Sequence, residues 1–151
     1  MSEFMETTVD KFTFKVAGDR FYNTEGVWVF ASDGNTVRIG LSDFLQQRSG
    51  DIAFADVEPV GTILAAGDEV ASIETIKVTI MLSSPVAGKI LRVNPLMENA
   101  PETINQDPYG EGWLCEIEAT SWEADRKNLM EPAAYFVQMK QEAENEVKKN
   151  E

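Results

Sequence analysis

The sequence predicts a mainly β fold, a flattened barrel with one short helix and one helix at the C-terminus. Apolar stretches of strand length recur between residues 11 and 118, and Gly, Pro and Asn separate them. This spacing favours a barrel or a sandwich over alternating helices and strands. The last part of the chain changes to a helical pattern. A length of 151 residues is enough for one domain with its own core.

The predicted strands either alternate apolar and polar residues or form short apolar runs. Residues 33–35 read Asp-Gly-Asn and form a turn, so two of the strands make a hairpin. Residues 60–64 and 87–91 match at Gly, Ile and Leu, which fits two similar halves packed face to face but also arises by chance. We expect strands over residues 11–16, 27–30, 36–40, 51–57, 60–64, 69–76, 78–82, 88–93 and 113–118.

Two helices complete the predicted fold. Ser42 is a favourable N-cap for a short helix over residues 43–47 that ends near Gly50. A longer helix begins near Pro132, since proline is favoured in the first turn. Its apolar face, which we expect to pack on the barrel, consists of Tyr135, Met139, Ala143 and Val147. The predicted segments are an N-terminal extension with a strand (1–19), the barrel (20–121) and a C-terminal helical segment (122–151).

The composition excludes several classes of function. Thirteen Lys and Arg against 26 Asp and Glu give a formal charge of -13, which repels phosphate backbones and acidic lipids. We therefore expect neither a nucleic acid nor a membrane as a partner. The absence of histidine excludes a histidine base, histidine metal ligands and Ser-His or Cys-His pairs. Cys115, the single cysteine, excludes an internal disulfide and is predicted to be a packed core thiol.

Two further features of the sequence bear on the location of the protein in the cell and on its role. No apolar run reaches the roughly 18 residues of a membrane span, and the acidic first residues are unlike a secretory signal. We therefore expect a cytoplasmic protein. Because the usual catalytic groups are mostly missing, a binding or carrier role is favoured over an enzyme.

Lys77 is the residue that points to a specific chemistry. It lies between Ile76 and Val78, midway through two strand-like segments, so a chain reversal there holds it at a hairpin tip. An exposed amine on a rigid turn is a good attachment point for a long prosthetic group. The alternative is an ordinary solvated lysine, which these residues taken alone favour.

A wider set of motifs reverses that preference. Residues 73–77 read Ile-Glu-Thr-Ile-Lys, and residues 105–114 read Asn-Gln-Asp-Pro-Tyr-Gly-Glu-Gly-Trp-Leu. Shorter motifs lie at residues 50–54, 67–68, 84–88 and 93–94. Together they resemble the glycine cleavage system H protein family over residues 20–137, where the lysine of a Glu-Ser-Val-Lys element carries lipoyl. Biotin carriers have a similar fold, but their lysine usually lies between two methionines.

The resemblance implies a barrel-sandwich hybrid and lipoic acid joined by an amide bond to Lys77. Glu74 is placed like the acid that lipoyl-attaching enzymes recognise in this family. The implied partners are that attaching enzyme, a dihydrolipoyl dehydrogenase and the enzymes between which the lipoyl arm moves. The carrier itself would catalyse nothing, because the cofactor supplies the chemistry.

Two positions depart from the family pattern. Val27 stands where the family has the Glu of a His-Glu-Trp string, and Met81 stands where it usually has an Asp. In the glycine cleavage proteins these acids line the cleft of the loaded arm and hold its amine. We therefore expect a neutral cleft with Val27 and Met81 in its wall. Trp28 is a further candidate for the wall, and Glu25 is a candidate replacement for the missing acids.

Three functions are compatible with these residues. A neutral cleft suits a cargo without an amine, so the main expectation is a lipoate-binding protein that carries sulfur intermediates for a heterodisulfide-reductase-like complex in prokaryotic sulfur oxidation. The alternative is a glycine cleavage system H protein that shuttles an aminomethyl group between a decarboxylase and an aminomethyltransferase. The third is an unmodified H-like interaction module, in which Lys77 stays bare.

Overall fold

Strands predominate in the computed structural model, which describes residues 3–149. The outermost residues of the predicted segments, 1–2 and 150–151, lie outside the described residues. The strands are β1 (Phe4–Val9), β2 (Phe12–Ala17), β3 (Phe21–Tyr22), β4 (Val27–Ala31), β5 (Thr36–Leu41), β6 (Ile52–Val57), β7 (Ile63–Leu64), β8 (Glu69–Thr75), β9 (Thr79–Ser83), β10 (Gly88–Val93) and β11 (Cys115–Ala119). The helices are α1 (Asp43–Ser49), α2 (Leu96–Asn99), α3 (Thr103–Gln106), α4 (Trp122–Arg126) and α5 (Pro132–Lys149).

The strands form three antiparallel sheets. Six of them pair in the order β3-β4-β5-β11-β10-β7, and three pair in the order β6-β8-β9. The remaining two, β1 and β2, form a separate N-terminal hairpin. Neither of the two larger sheets closes on itself, and buried side chains from both form one main core. This arrangement is the flattened barrel that the spacing of the strands predicts.

Alternation along the strands decides which residues enter the main core. In β8, Ala71 and Ile73 are buried, whereas Glu74 between Ile73 and Thr75 is exposed. A period of two is expected where one face of a sheet is solvated and the other is packed. The outer face of the three-stranded sheet is therefore open to solvent, and Glu74 lies on it.

A second apolar cluster joins the N-terminal hairpin and α5 to the six-stranded sheet. It contains Phe14 and Val16 from β2, Trp28 from β4, and Tyr135 and Met139 from α5. The predicted apolar face of the C-terminal helix is confirmed, because the side chains at its first three positions are buried. The hairpin and α5 are thus packed on one side of the barrel.

The predicted N-cap of α1 is also confirmed. Ser42 Oγ accepts a hydrogen bond from the backbone N–H of Leu45 at 3.2 Å. The same oxygen lies 2.8 Å from the hydroxyl of Tyr135, so the cap also ties α1 to α5. The helix ends at Gly50, whose φ of 88° lies in the left-handed region that favours glycine.

Several elements differ from the prediction. The strand expected over 60–64 is reduced to β7, since Gly61 adopts a φ of 93° and Thr62 closes a turn onto Pro59. The repeated segments pair side by side in one sheet instead of lying face to face, with Leu64 opposite Gly88. The prediction missed β1, β3 and the short helices α2, α3 and α4, which depend on tertiary neighbours.

Within residues 3–149 no helix is long and apolar enough to cross a membrane.

Candidate functional site

Lys77 lies at the exposed tip of the β8–β9 hairpin, as predicted. Thr75 fixes the turn, because its hydroxyl oxygen accepts hydrogen bonds from the backbone N–H of Lys77 (3.2 Å) and of Val78 (3.0 Å). The backbone N–H of Thr75 also donates to Val78 O at 2.8 Å. Ile76 beside the lysine is 82% exposed. The amine is therefore accessible, while its backbone is held.

The stem of Lys77 passes over Gly50 at the carboxyl end of α1. A Cβ atom on Gly50 would lie 3.1 Å from Lys77 Cε and 3.6 Å from Nζ. The absence of a side chain at Gly50 leaves room for this close approach. The lysine is thereby directed towards α1 and away from the outer face of the three-stranded sheet.

A groove of about 600 Å³ opens beside Lys77, and we call it the Lys77 groove. The N-terminal hairpin, α1, β9 and the end of α5 each contribute to it. Its apolar lining consists of Phe12, Phe14, Phe44, Leu45, Val78 and Ile80. Its polar lining consists of Gln47, Arg48, Ser49, Lys77, Glu146 and Lys149. The volume lies within the range of small-molecule sites.

Three aromatic rings form a continuous row in this groove. Phe14 meets Phe44 edge-on with ring centroids 5.3 Å apart, and Phe12 stacks on Phe14 at 6.4 Å. Phe14 and Phe44 are buried, whereas Phe12 is 48% exposed. The row thus runs from the packed interior to an open apolar surface on the hairpin.

The polar end of the Lys77 groove contains a shared ion pair. Arg48 from α1 lies 2.7 Å from a Glu146 carboxylate oxygen and 3.5 Å from one of Glu142. One guanidinium therefore serves two carboxylates, and all three side chains are partly exposed. A partly exposed ion pair of this kind is weak, so a carboxylate can exchange partners at low cost.

Glu74 lies on the outer face of the three-stranded sheet, three residues before Lys77. Its cross-strand neighbours are Phe54 in β6 and Thr79 in β9. Glu74 is exposed, and so is Phe54, at 66%. A protein that approaches the hairpin tip from this side meets an acid beside an apolar ring.

Comparisons with known proteins agree with this geometry. The sequence profile of the glycine cleavage H-protein family matches residues 20–142. The chain is 41% identical over 117 residues to the glycine cleavage system H protein of Listeria monocytogenes, covering 78% of this chain and 92% of that protein. It is 34% identical over 122 residues to a probable glycine cleavage system H protein of Thermococcus kodakarensis, covering 81% and 90%.

The chain belongs to the glycine cleavage H-protein family. Proteins of this family carry lipoate covalently attached to a lysine, and they are non-catalytic carriers within the glycine cleavage system. They partner with the glycine cleavage enzymes and with lipoate-attaching enzymes. The expectation of a carrier in place of an enzyme is therefore confirmed.

A solved structure supports the fold of this H-protein-family member. The crystal structure of a glycine cleavage system H protein from Mycobacterium marinum matches with a TM-score of 0.65 and 30% sequence identity. The match covers 74% of this chain and 97% of that one. The barrel-sandwich hybrid with a C-terminal helix is thereby confirmed. The N-terminal hairpin and the last turns of α5 lie outside residues 20–142, which the family profile matches.

The expected arm cleft differs from the observed groove at Val27 and Trp28. Both are fully buried in β4, a strand flanked on both sides within the six-stranded sheet. Val27 belongs to the main core, and Trp28 belongs to the second cluster, where its Nε1 donates to Leu41 O at 2.9 Å and to Pro108 O at 3.0 Å. These two side chains therefore form core and not groove wall.

Glu25 and Met81 also lie outside the Lys77 groove. The Glu25 carboxylate accepts hydrogen bonds from the backbone N–H and the hydroxyl of Ser83, both at 2.9 Å, so it holds the end of β9. Met81 is 59% exposed, and its neighbour Ile80 lines the groove. Because successive strand residues point to opposite faces, only one of these two can face the groove.

The remaining chemical predictions concern Cys115 and metals. Cys115 is fully buried in the main core, as predicted, and burial raises the pKa of its thiol to about 12. It is therefore protonated and unreactive near neutral pH. Within residues 3–149 no cluster of acidic and cysteine side chains has the arrangement of a metal site.

Sequence reasoning missed the residues that do line the groove beside Lys77. Phe12 and Phe14 fall in the strand predicted over 11–16 and were given no role, and neither Arg48 nor Glu146 was singled out. The alternating phenylalanines were a visible signal for an apolar face. What covers that face depends on how the N-terminal hairpin docks, which a single sequence does not give.

Proposed function

We propose that this protein is a lipoyl carrier of the glycine cleavage system, with its lipoyl arm on Lys77. One observation carries the proposal: in a chain of the H-protein family, an exposed lysine occupies a hairpin tip that Thr75 fixes by hydrogen bonds. A rigid turn limits the motion of the attachment point, so the swing of the arm comes from its own rotatable bonds. Tethering raises the effective concentration of the arm at each partner.

The residues around Lys77 fit a lipoyl amide. Formation of the amide removes the positive charge of the lysine, so the modified side chain avoids the cost of placing a charge along the apolar lining of the Lys77 groove. When bound, the lipoyl group supplies a dithiol and disulfide pair that carries an aminomethyl group and is reoxidised at a dihydrolipoyl dehydrogenase. Glu74 on the outer face is the acid that we assign to recognition by the attaching enzyme.

The two candidate pathways differ in the group that the lipoyl arm carries. Sulfur oxidation with a heterodisulfide-reductase-like complex was inferred from the missing acids at positions 27 and 81. Val27 lies in the core, however, so it does not set the charge of the groove, and Glu146 lines the groove with a carboxylate beside Arg48 and Lys149. The curated relatives bear glycine cleavage names. On the strength of these relatives we propose an aminomethyl cargo.

Attachment is tested by the mass of the protein purified from its native host. We expect one lipoyl amide per chain, mapped to the peptide that contains Lys77, and its loss in Lys77→Arg. The matched control is Lys89→Arg, another exposed lysine on a strand, which should keep the modification. A bare Lys77 in a host with active lipoylation would reject the carrier function in favour of an interaction module. A cytoplasmic location stays a prediction.

The cargo is tested by incubating the protein, with its lipoyl arm oxidised, with glycine and the glycine decarboxylase of the same host, so that CO2 leaves and the disulfide of the arm accepts the aminomethyl group. We expect an aminomethyl adduct on the arm, retained less well in Glu146→Gln than in wild type. Glu144→Gln, on the same helix but outside the groove, is the control and should retain it as wild type does. A sulfur-bearing adduct in protein from the native host, with no turnover of glycine, would contradict the proposed cargo.

A further inference from the structure

We propose that the N-terminal hairpin and α1 together form a docking site for the sulfur-bearing end of the lipoyl arm, made of Phe12 and Phe14 from the hairpin and Phe44 from α1. The inference rests on the proposed attachment at Lys77. It assigns a role to β1 and β2, which precede the region that matches the H-protein family profile. The arm would thus be held in part by a segment that the matched part of the chain does not contain.

The direction of Lys77 is the first support. Its Cε lies so close to Gly50 that a Cβ there would be only 3.1 Å away, and Lys77 itself lines the groove. An arm that continues from Nζ therefore starts inside the groove, next to the carboxyl end of α1. Neither a hinge motion nor an unfolding step is needed to bring the arm there.

The lining of the groove is the second support. Phe12 lies on the face of β2 that also presents the buried Phe14, yet it is 48% exposed. Methylene groups and a dithiolane are apolar, so covering this ring removes apolar surface of both partners from water. Divalent sulfur also makes favourable contacts with the edges of aromatic rings.

The extent of the groove is the third support. A smaller cavity of about 100 Å³ lies against the same two phenylalanines and continues towards Val147 on α5. The groove also has charged lining groups, Arg48, Glu146 and Lys149, and Glu146 borders the smaller cavity as well. An apolar lining with charged groups beside it suits a long apolar arm whose loaded end carries a polar group.

The test measures how fast the reduced arm reacts with a chromogenic aromatic disulfide in the lipoylated full chain. Only the undocked fraction reacts, so docking for about 90% of the time slows the reaction roughly tenfold relative to free dihydrolipoamide. We expect Phe12→Ser to accelerate it about three- to tenfold. Phe4→Ser is the matched control, because Phe4 is on the same hairpin and is 47% exposed, but lies outside the groove.

The outcomes separate this inference from the proposed function. If the intact mass shows no lipoyl group, the attachment fails and the arm does not exist. If the chain is lipoylated but the wild-type arm reacts as fast as free dihydrolipoamide, or both serine variants accelerate equally, the docking site is refuted. Cys115 stays unreactive in a folded chain, since it is fully buried, and so reports any general loosening.

A second measurement requires no variant. In the oxidised lipoylated protein, we expect nuclear Overhauser contacts between the dithiolane protons and the ring protons of Phe12 and Phe44. Their presence would establish the docked arm even if Phe12→Ser folds poorly. Their absence, with sharp free-arm resonances, would overturn the docking site.

Discussion

Gly50→Ala changes both the backbone at the end of α1 and the path of Lys77. Gly50 has a φ of 88° and a ψ of -167°, a region essentially restricted to glycine. An alanine held there costs about 1–3 kcal/mol of the free energy of unfolding. Its Cβ would also lie 3.1 Å from Lys77 Cε, and the flexible lysine stem yields before the backbone does. The substitution therefore lowers stability and redirects the arm.

Two assays separate these effects. Urea unfolding measures the stability, and the rate at which the reduced arm reacts with an aromatic disulfide measures its direction. Gly67→Ala is the control, because Gly67 also has a positive φ, of 95°, but a Cβ there meets no atom within 4 Å. We expect both variants to lose stability and only Gly50→Ala to expose the arm.

Either half of this reasoning can be refuted separately. Unfolding of Gly50→Ala within about 0.5 kcal/mol of wild type would show that the backbone at Gly50 is not strained by a side chain. Arm reactivity equal in wild type and Gly50→Ala would show that the stem of Lys77 does not pass over this residue.

Three further predictions concern single side chains. Glu74→Gln should slow lipoate transfer by the attaching enzyme and leave the free energy of unfolding within about 0.5 kcal/mol of wild type. Glu69→Gln on the same strand is the control and should change neither quantity. Equal transfer rates in Glu74→Gln and wild type would show that the enzyme does not recognise Glu74. Tyr135→Phe removes the buried hydrogen bond to Ser42 (2.8 Å) and should cost about 0.5–1.5 kcal/mol in urea unfolding; no loss would mean that the bond is not formed. Burial raises the pKa of Cys115 from 9.0 to about 12, so its contribution to stability is complete below about pH 9 and is lost as the pH rises towards 12. Cys115→Ala should flatten this alkaline loss in unfolding measured across pH, and an unchanged slope would contradict it.

The fold was largely predictable because its signals are local. Strand alternation, the Ser42 cap and the four-residue spacing on α5 each depend on residues close in sequence, and each agrees with the structure. The missed β1 is half exposed and becomes a strand because β2 lies beside it. Pairing of this kind depends on tertiary neighbours more than on propensity.

Of the candidate site, only Lys77 was predictable from the sequence. Lys77 follows from a contiguous motif, and its place at the hairpin tip requires only two neighbouring strands. The groove wall requires knowing which face of β4 meets the core and where a hairpin before residue 20 docks. Val27 and Met81 were expected in the cleft wall because of their positions in the family pattern. Whether a side chain is exposed there depends on how the strands pack, which the pattern does not give.

This difference also bears on the cargo, which the sequence expectation took from the substitutions at 27 and 81. A cleft is neutral only if no charged side chain reaches it from outside the family positions. Glu146 does so from the last turns of α5, beyond residue 142. Arg48 is shared between Glu146 and Glu142, so an ammonium cargo can take one carboxylate and leave the arginine its other partner. Arg48 and Lys149 line the same groove, so its polar lining alone selects neither a cationic nor an anionic cargo, and retention of the adduct in Glu146→Gln decides whether this carboxylate holds the ammonium.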